Sequence, residues 1–190
     1  RMKEQKSGLK LLYIGRIEPR RAPFFAIDIL ANVRKADSNA KLYIIGDGDA
    51  EYVQQVQNAI KERGLEKYVS WQKKARQPQL QGVYRQADFF LLPTEYEIFG
   101  MVLLEAMYFG SIVITTPNGG SNMLVHNGEN GVVLPKDDAA KWAQSILDIQ
   151  NSPEKKQTMR KCAHERIASD FTWDKLANKF IWRYEMLKKR

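Results

Sequence analysis

One cysteine, two histidines and no apolar run of membrane length set the first limits on this chain of 190 residues. The lone Cys162 excludes an intrachain disulfide and a cysteine-ligated metal cluster, as expected of an intracellular protein, and it reads as a small buried residue. His126 and His164 have no partners at metal or triad spacing and read as surface residues. A membrane helix needs about 20 consecutive apolar residues, and the polar start RMKEQKSG has no signal-peptide core behind it. The cytosol is the expected location. Repeats, low-complexity segments and a DxD-like carboxylate cluster are also missing, so no metal ion or other cofactor is expected.

What is present is a packable chain. Apolar residues make up 44% and aromatics 11%, enough for a sizeable core and against disorder, and the length suits one domain over 1–190. The net charge of +8 invites a nucleic-acid reading, but the basic residues are spread along the chain, concentrated only in 1–35 and the terminal KKR. Nucleic acid is therefore not the expected partner; a nucleotide in one cleft or an anionic lipid surface suits the charge equally.

The first two thirds alternate short β-rich runs with longer helical patterns. LKLLYIG (9–15), YVSW, DFFLLP and SIVITT read as strands, and KLYIIGDGD (41–49) as a strand running into a glycine turn. Between them PFFAIDILANVRK (23–35), EYVQQVQNAIKERG ended by Gly64, PQLQGVYRQA and MVLLEAMYFG read as helices. Such alternation predicts βαβ units, hence an α/β Rossmann-like parallel sheet of about six strands with helices on both faces. After Pro135 the pattern is helical. DDAAKWAQSILDIQ places Trp142, Ile146 and Ile149 on one stripe, and Ser152 with Pro153 marks a second start. A last helix is expected from FTWDKL, capped by Thr172, with Phe171 packing on Leu176.

In an open α/β sheet ligands bind beyond the carboxyl ends of the strands, which directs attention to IGRIEPRRA, IGDGD, PTEYEIFG and TPNGGS. The helix after PTEYEIFG starts near Phe99, Gly100 and Met101, where unpaired N–H groups and a bare glycine backbone suit phosphate. Glu105 lies five residues beyond Gly100, about 7 to 8 Å along the axis at a rise of roughly 1.5 Å per residue. A diphosphate at the helix start would lay its ribose beside Glu105, and Glu97 would face whatever the diphosphate carries. Taken singly, each glutamate reads as a dipole-complementing or solvated helix residue rather than a ligand-binding one. Arg16 and Arg21 fit as solvated loop cations, Asp47 as a turn residue, and Tyr96 as a packing residue.

E-I-F-G-M-V-L-L-E resembles the E-x-F-G-x-x-x-x-E motif of the retaining group 1 glycosyltransferases, glycosyltransferase family 4, which have two facing Rossmann-like domains in the GT-B architecture. IGR after the first strand, GDGD after the second, Pro93, the helix ending Ala106 to Gly110, and TPNGGSNMLVHNGENGVVLP follow in that family's order. The likeness runs from about Leu9 to the final helix and concerns the C-terminal, donor-binding half.

The resemblance implies transfer of a sugar from a nucleotide-diphospho-sugar, UDP- or GDP-linked, to an acceptor hydroxyl with retention of configuration. Glu105 resembles the residue that holds the donor ribose, and Glu97 the one that contacts the transferred sugar. Phe99, Gly100, Met101 and Val102 would offer backbone donors to the diphosphate, with Gly119 and Gly120 in the neighbouring loop. Arg16 and Arg21 would neutralise the leaving phosphate. The chain departs from the family at Arg21, where lysine is usual, at Ala22, where glycine is usual, and at Met123, where the NGG loop usually reaches a glutamate. The resemblance also implies that an N-terminal acceptor domain is absent from this chain, that these residues alone transfer little, and that a lipid-linked or saccharide acceptor, met at the inner face of a membrane, would suit the basic surface. Surface polysaccharide assembly is the expected setting. A non-catalytic sugar-nucleotide-binding module is the alternative, which retention of both glutamates disfavours. A sugar-nucleotide epimerase lacks this glutamate pair, and an NAD oxidoreductase would need G-x-G-x-x-G where GRIEPRRA stands.

Overall fold

The computed structural model describes residues 8–171 and Lys175. Among them six strands form one all-parallel sheet: β1 Lys10–Ile14, β2 Lys41–Ile45, β3 Val69–Gln72, β4 Phe89–Leu92, β5 Ile112–Thr115 and β6 Val132–Val133. Their order, β3-β2-β1-β4-β5-β6, is that of a doubly wound Rossmann-like sheet, and it reverses direction between β1 and β4. The connections that leave β1 and β4 therefore diverge, and a crevice opens between them at the carboxyl edge.

Successive strand residues point to opposite faces, so each strand feeds two cores. Leu11, Tyr13, Leu42, Ile44, Phe89 and Ile112 meet α1 Pro23–Val33, α2 Ala50–Glu62 and α6 Ala139–Gln150 on one face. Leu12, Ile14, Phe90, Leu92 and Val113 meet α3 Gln77–Gln86, α4 Met101–Phe109, α5 Gly119–Leu124 and α7 Pro153–Asp170 on the other. Every residue of β4 and β5 is buried, as a central strand covered on both faces must be. The stripe Trp142, Ile146 and Ile149 is buried as its spacing predicts, and Trp142 Nε1 also donates to Pro135 O at 2.9 Å.

Several expectations are corrected. TPNGGSNML is not all loop: Asn118 caps α5 by accepting from Ser121 N–H at 2.9 Å, and the Ser121 hydroxyl accepts from Asn118 N–H in return. Six residues are too few to display a helical period. Strand β6, two residues long, was equally invisible. Cys162 is half-buried, since it lies beside and not under the stripe Met159, Ala163 and Ile167. Ser152 occupies the cap of α7 without making a side-chain bond, although Pro153 does open the first turn. The expected final helix, with Thr172 and Leu176, lies outside the described residues apart from Phe171 and Lys175. Among the described residues no helix is long and apolar enough to cross a membrane.

Candidate functional site

The connection from β1 to α1 carries the arginines. Tyr13, at the end of β1, is fully buried, and its hydroxyl lies 3.1 Å from the carbonyl of Arg16 and 3.2 Å from that of Arg21. Burial pushes its phenol well above the usual value, so the hydroxyl keeps its proton and pins both ends of the loop. A short 3-10 turn, Pro19–Arg21, then leads to Ala22, whose φ of 48° lies in the left-handed region. Glycine would adopt that backbone without strain, whereas alanine is strained there.

The loop from β4 to α4 lies beside it. Glu95 N–H donates to Arg20 O at 3.1 Å, and the Thr94 hydroxyl lies within reach of the carbonyls of Arg20 and Tyr96. Thr116, after β5, donates to Thr94 O, and Asn118 Nδ2 donates to Thr116 O at 3.0 Å. These buried bonds tie together the loops that leave β1, β4 and β5. With the loops so placed, Arg21 Nη1 stands 2.6 Å from Glu97 Oε2, with both side chains mostly buried. Arg16 does not join them; its side chain is 75% exposed and reaches Glu18 at 3.6 Å.

Gly100 has a φ of 82° and precedes α4 without a side-chain cap. The first residue of the turn to bond inward is Leu103, whose N–H donates to Gly100 O at 2.9 Å. The earlier amides, those of Met101 and Val102, are of the kind a helix cannot satisfy internally, which makes a helix start suited to an anion. Phe99 is half-buried near Phe171, with ring centroids 6.5 Å apart. Tyr96, expected to pack, is 61% exposed, because Thr94 and Glu97 turn inward on either side of it and leave its ring on the outer surface.

Glu105 lies about one turn into α4, half-buried, and accepts a hydrogen bond from the Tyr84 hydroxyl at 2.9 Å. Tyr84 comes from α3 and is fully buried. Burial first, and the neighbouring Glu105 charge second, push its phenol well above the usual value, so it donates throughout the neutral range. Sequence reasoning missed Tyr84, whose helix carries no local sign of a partner 21 positions away.

Gly119 and Gly120 begin α5 directly beneath the Glu97 loop. A Cβ on Gly119 would stand 2.7 Å from the carbonyls of Glu97 and Ile98, and one on Gly120 2.7 Å from that of Phe99. Gly120 N–H already donates to Glu97 O at 3.2 Å. Close backbone packing thus accounts for both glycines. Met123 is exposed on α5, and Asp47 accepts from Gly48 N–H in its turn, with Lys73 at 3.9 Å. His126 and His164 are both exposed, the latter with Nδ1 2.6 Å from Tyr108 O. Among the described residues no group of three or more His, Cys, Asp or Glu side chains is placed to hold a metal ion.

A family model described as glycosyl transferases group 1 matches residues 2–166. This chain belongs to the group 1 glycosyltransferases. The glycogen synthase of Mycobacterium tuberculosis is 31% identical over 168 residues, which are 88% of this chain and 40% of that protein. This group 1 chain therefore spans well under half the length of that relative. The crystal structure of Anabaena HepE in complex with UDP-glucose superposes with a TM-score of 0.83 at 23% identity, over 96% of this chain and 49% of that one. The C-terminal domain of the group 1 protein LpcC from Francisella tularensis gives a TM-score of 0.79 at 18% identity, over 87% of both chains. The two structures agree with this one in fold.

Proposed function

We propose that this chain is the donor-binding half of a retaining glycosyltransferase that moves a sugar from a nucleoside diphosphate to an acceptor hydroxyl. The observation that carries the reading is the meeting of Arg21 and Glu97 at the switch point between β1 and β4, beside the open start of α4. The diphosphate lies against the amides of Phe99 to Val102, with Arg16 and Arg21 countering the charge that builds as it leaves. Glu105, oriented by Tyr84, grips the ribose hydroxyls. Glu97 exchanges its contact with Arg21 for the donor sugar and orients it without forming a lasting covalent bond. Gly119 and Gly120 serve the donor by letting the loop that bears Glu97 lie close to the start of α5.

The UDP-glucose held by HepE makes a UDP-linked hexose the first donor to test, with GDP-linked donors next. The greater length of the mycobacterial relative supports an acceptor-binding domain elsewhere in the full-length protein, so these residues bind donor and transfer little by themselves. A lipid-linked or saccharide acceptor suits that arrangement.

Calorimetric titration of the chain with UDP, GDP, ADP and their sugars tests the reading. One nucleotide series should bind, and Arg21→Ala should weaken it about 30-fold, the loss of a charged hydrogen-bonding partner of about 2 kcal/mol. Failure of every nucleotide to bind ends the reading. Activity of the full-length protein that survives Glu97→Ala would instead favour a module that binds donor without catalysis here.

A further inference from the structure

Glu18 has no part in the site as described, yet it stands among the three arginines of the β1–α1 loop. Its carboxylate lies 2.5 Å from Arg20 Nε, 3.6 Å from Arg16 Nε and 3.9 Å from Arg21 Nε. Arg21 in turn contacts Glu97, so it is held between two carboxylates, and its Nε is buried with no hydrogen-bond partner. Three guanidinium groups therefore face two carboxylates, and the formal charge of this cluster is small where a strongly positive field would hold phosphate most tightly.

We propose that Glu18 is a built-in counter-ion that limits how tightly this loop holds a nucleoside diphosphate, weakening the free diphosphate more than its sugar ester. This rests on the donor-site reading above. The asymmetry comes from charge: loss of the sugar frees the terminal phosphate, whose second ionisation lies near pH 6, so the product carries roughly one more negative charge than the donor. Repulsion from a fixed carboxylate scales with the charge it faces, so the product feels Glu18 more strongly. Glu18 also occupies the Arg20 guanidinium, which would otherwise be free to turn toward the added phosphate oxygen. The consequence is a site that releases its product. A carboxylate serving only to staple the arginines would act in the opposite sense, since its removal would loosen them and weaken every anion.

The test is titration of the unaltered chain and of Glu18→Gln, which keeps the side chain's size, with UDP and UDP-glucose at two salt concentrations. Glu18→Gln should bind UDP roughly fivefold and UDP-glucose roughly threefold more tightly at low salt, with both gains shrinking as salt rises. Unchanged affinity, weaker binding, or an equal gain for both ligands overturns the proposal while leaving the donor site standing. Absence of binding by the unaltered chain to UDP, GDP and ADP alike overturns the donor-site reading and this one with it.

Discussion

The two glutamates of the E-x-F-G-x-x-x-x-E motif sit in contrasting surroundings. Glu97 lies on a loop and is held by a cation, Arg21, that a diphosphate would also recruit. Glu105 lies on a helix and is held by a neutral hydroxyl, that of the buried Tyr84. A charged partner satisfies the first carboxylate until a ligand competes for that partner. A neutral partner orients the second without cancelling its charge, so Glu105 stands ready in the free protein. The difference teaches that, under the donor-site proposal, one end must rearrange to accept a ligand while the other is set in advance.

The largest expected effect comes from breaking the support under Glu97. Gly120→Ala places a Cβ where the Phe99 carbonyl and the Glu97 Cγ already stand, 2.7 and 3.2 Å away. It should cost about 2 to 3 kcal/mol in urea unfolding, the scale of overpacking against backbone, and unchanged stability would show that the loop can retreat freely. A smaller effect should follow from removing the neutral hold on Glu105. Tyr84→Phe should weaken nucleoside diphosphate binding about fivefold, near 1 kcal/mol, and shrink the preference over the 2′,3′-dideoxy analogue. If that preference is unaltered, Tyr84 is only a satisfied core residue. The smallest sharpens the Arg21 side of the comparison. Ala22→Gly relieves a left-handed alanine but adds freedom to the unfolded chain, leaving a net gain of about 0.5 kcal/mol in thermal unfolding. A loss of stability would mean that the positive φ carries no strain.

Much of the fold was legible because its signals are periodic. Strands β1, β2, β4 and β5 are apolar runs bounded by turns, and the stripe Trp142, Ile146 and Ile149 announces α6. Helix α5 and strand β6 were not, since six residues hold less than two helical turns and two residues only one strand period. Tyr96 shows a related gap. An aromatic residue is expected to pack, but Thr94 and Glu97 on either side took the inward positions through bonds to Arg20 O and Arg21 of the distant β1–α1 loop. The glycines of the NGG loop were visible as a motif, while the reason for them, carbonyl oxygens of another loop standing where a Cβ would clash, was not.

By itself the sequence determined the alternation of strand and helix, the glycine-lined turns and the spacing of Glu97 and Glu105 along one loop and helix, because each is a local matter of period, backbone freedom and rise per residue. Only the tertiary structure decided that Arg21 meets Glu97 across 76 positions, that Tyr84 reaches Glu105, and that Glu18 gathers three arginines. Those pairings depend on the order of strands in the sheet, and that order is set by the burial of both its faces at once, which no local stretch of chain encodes.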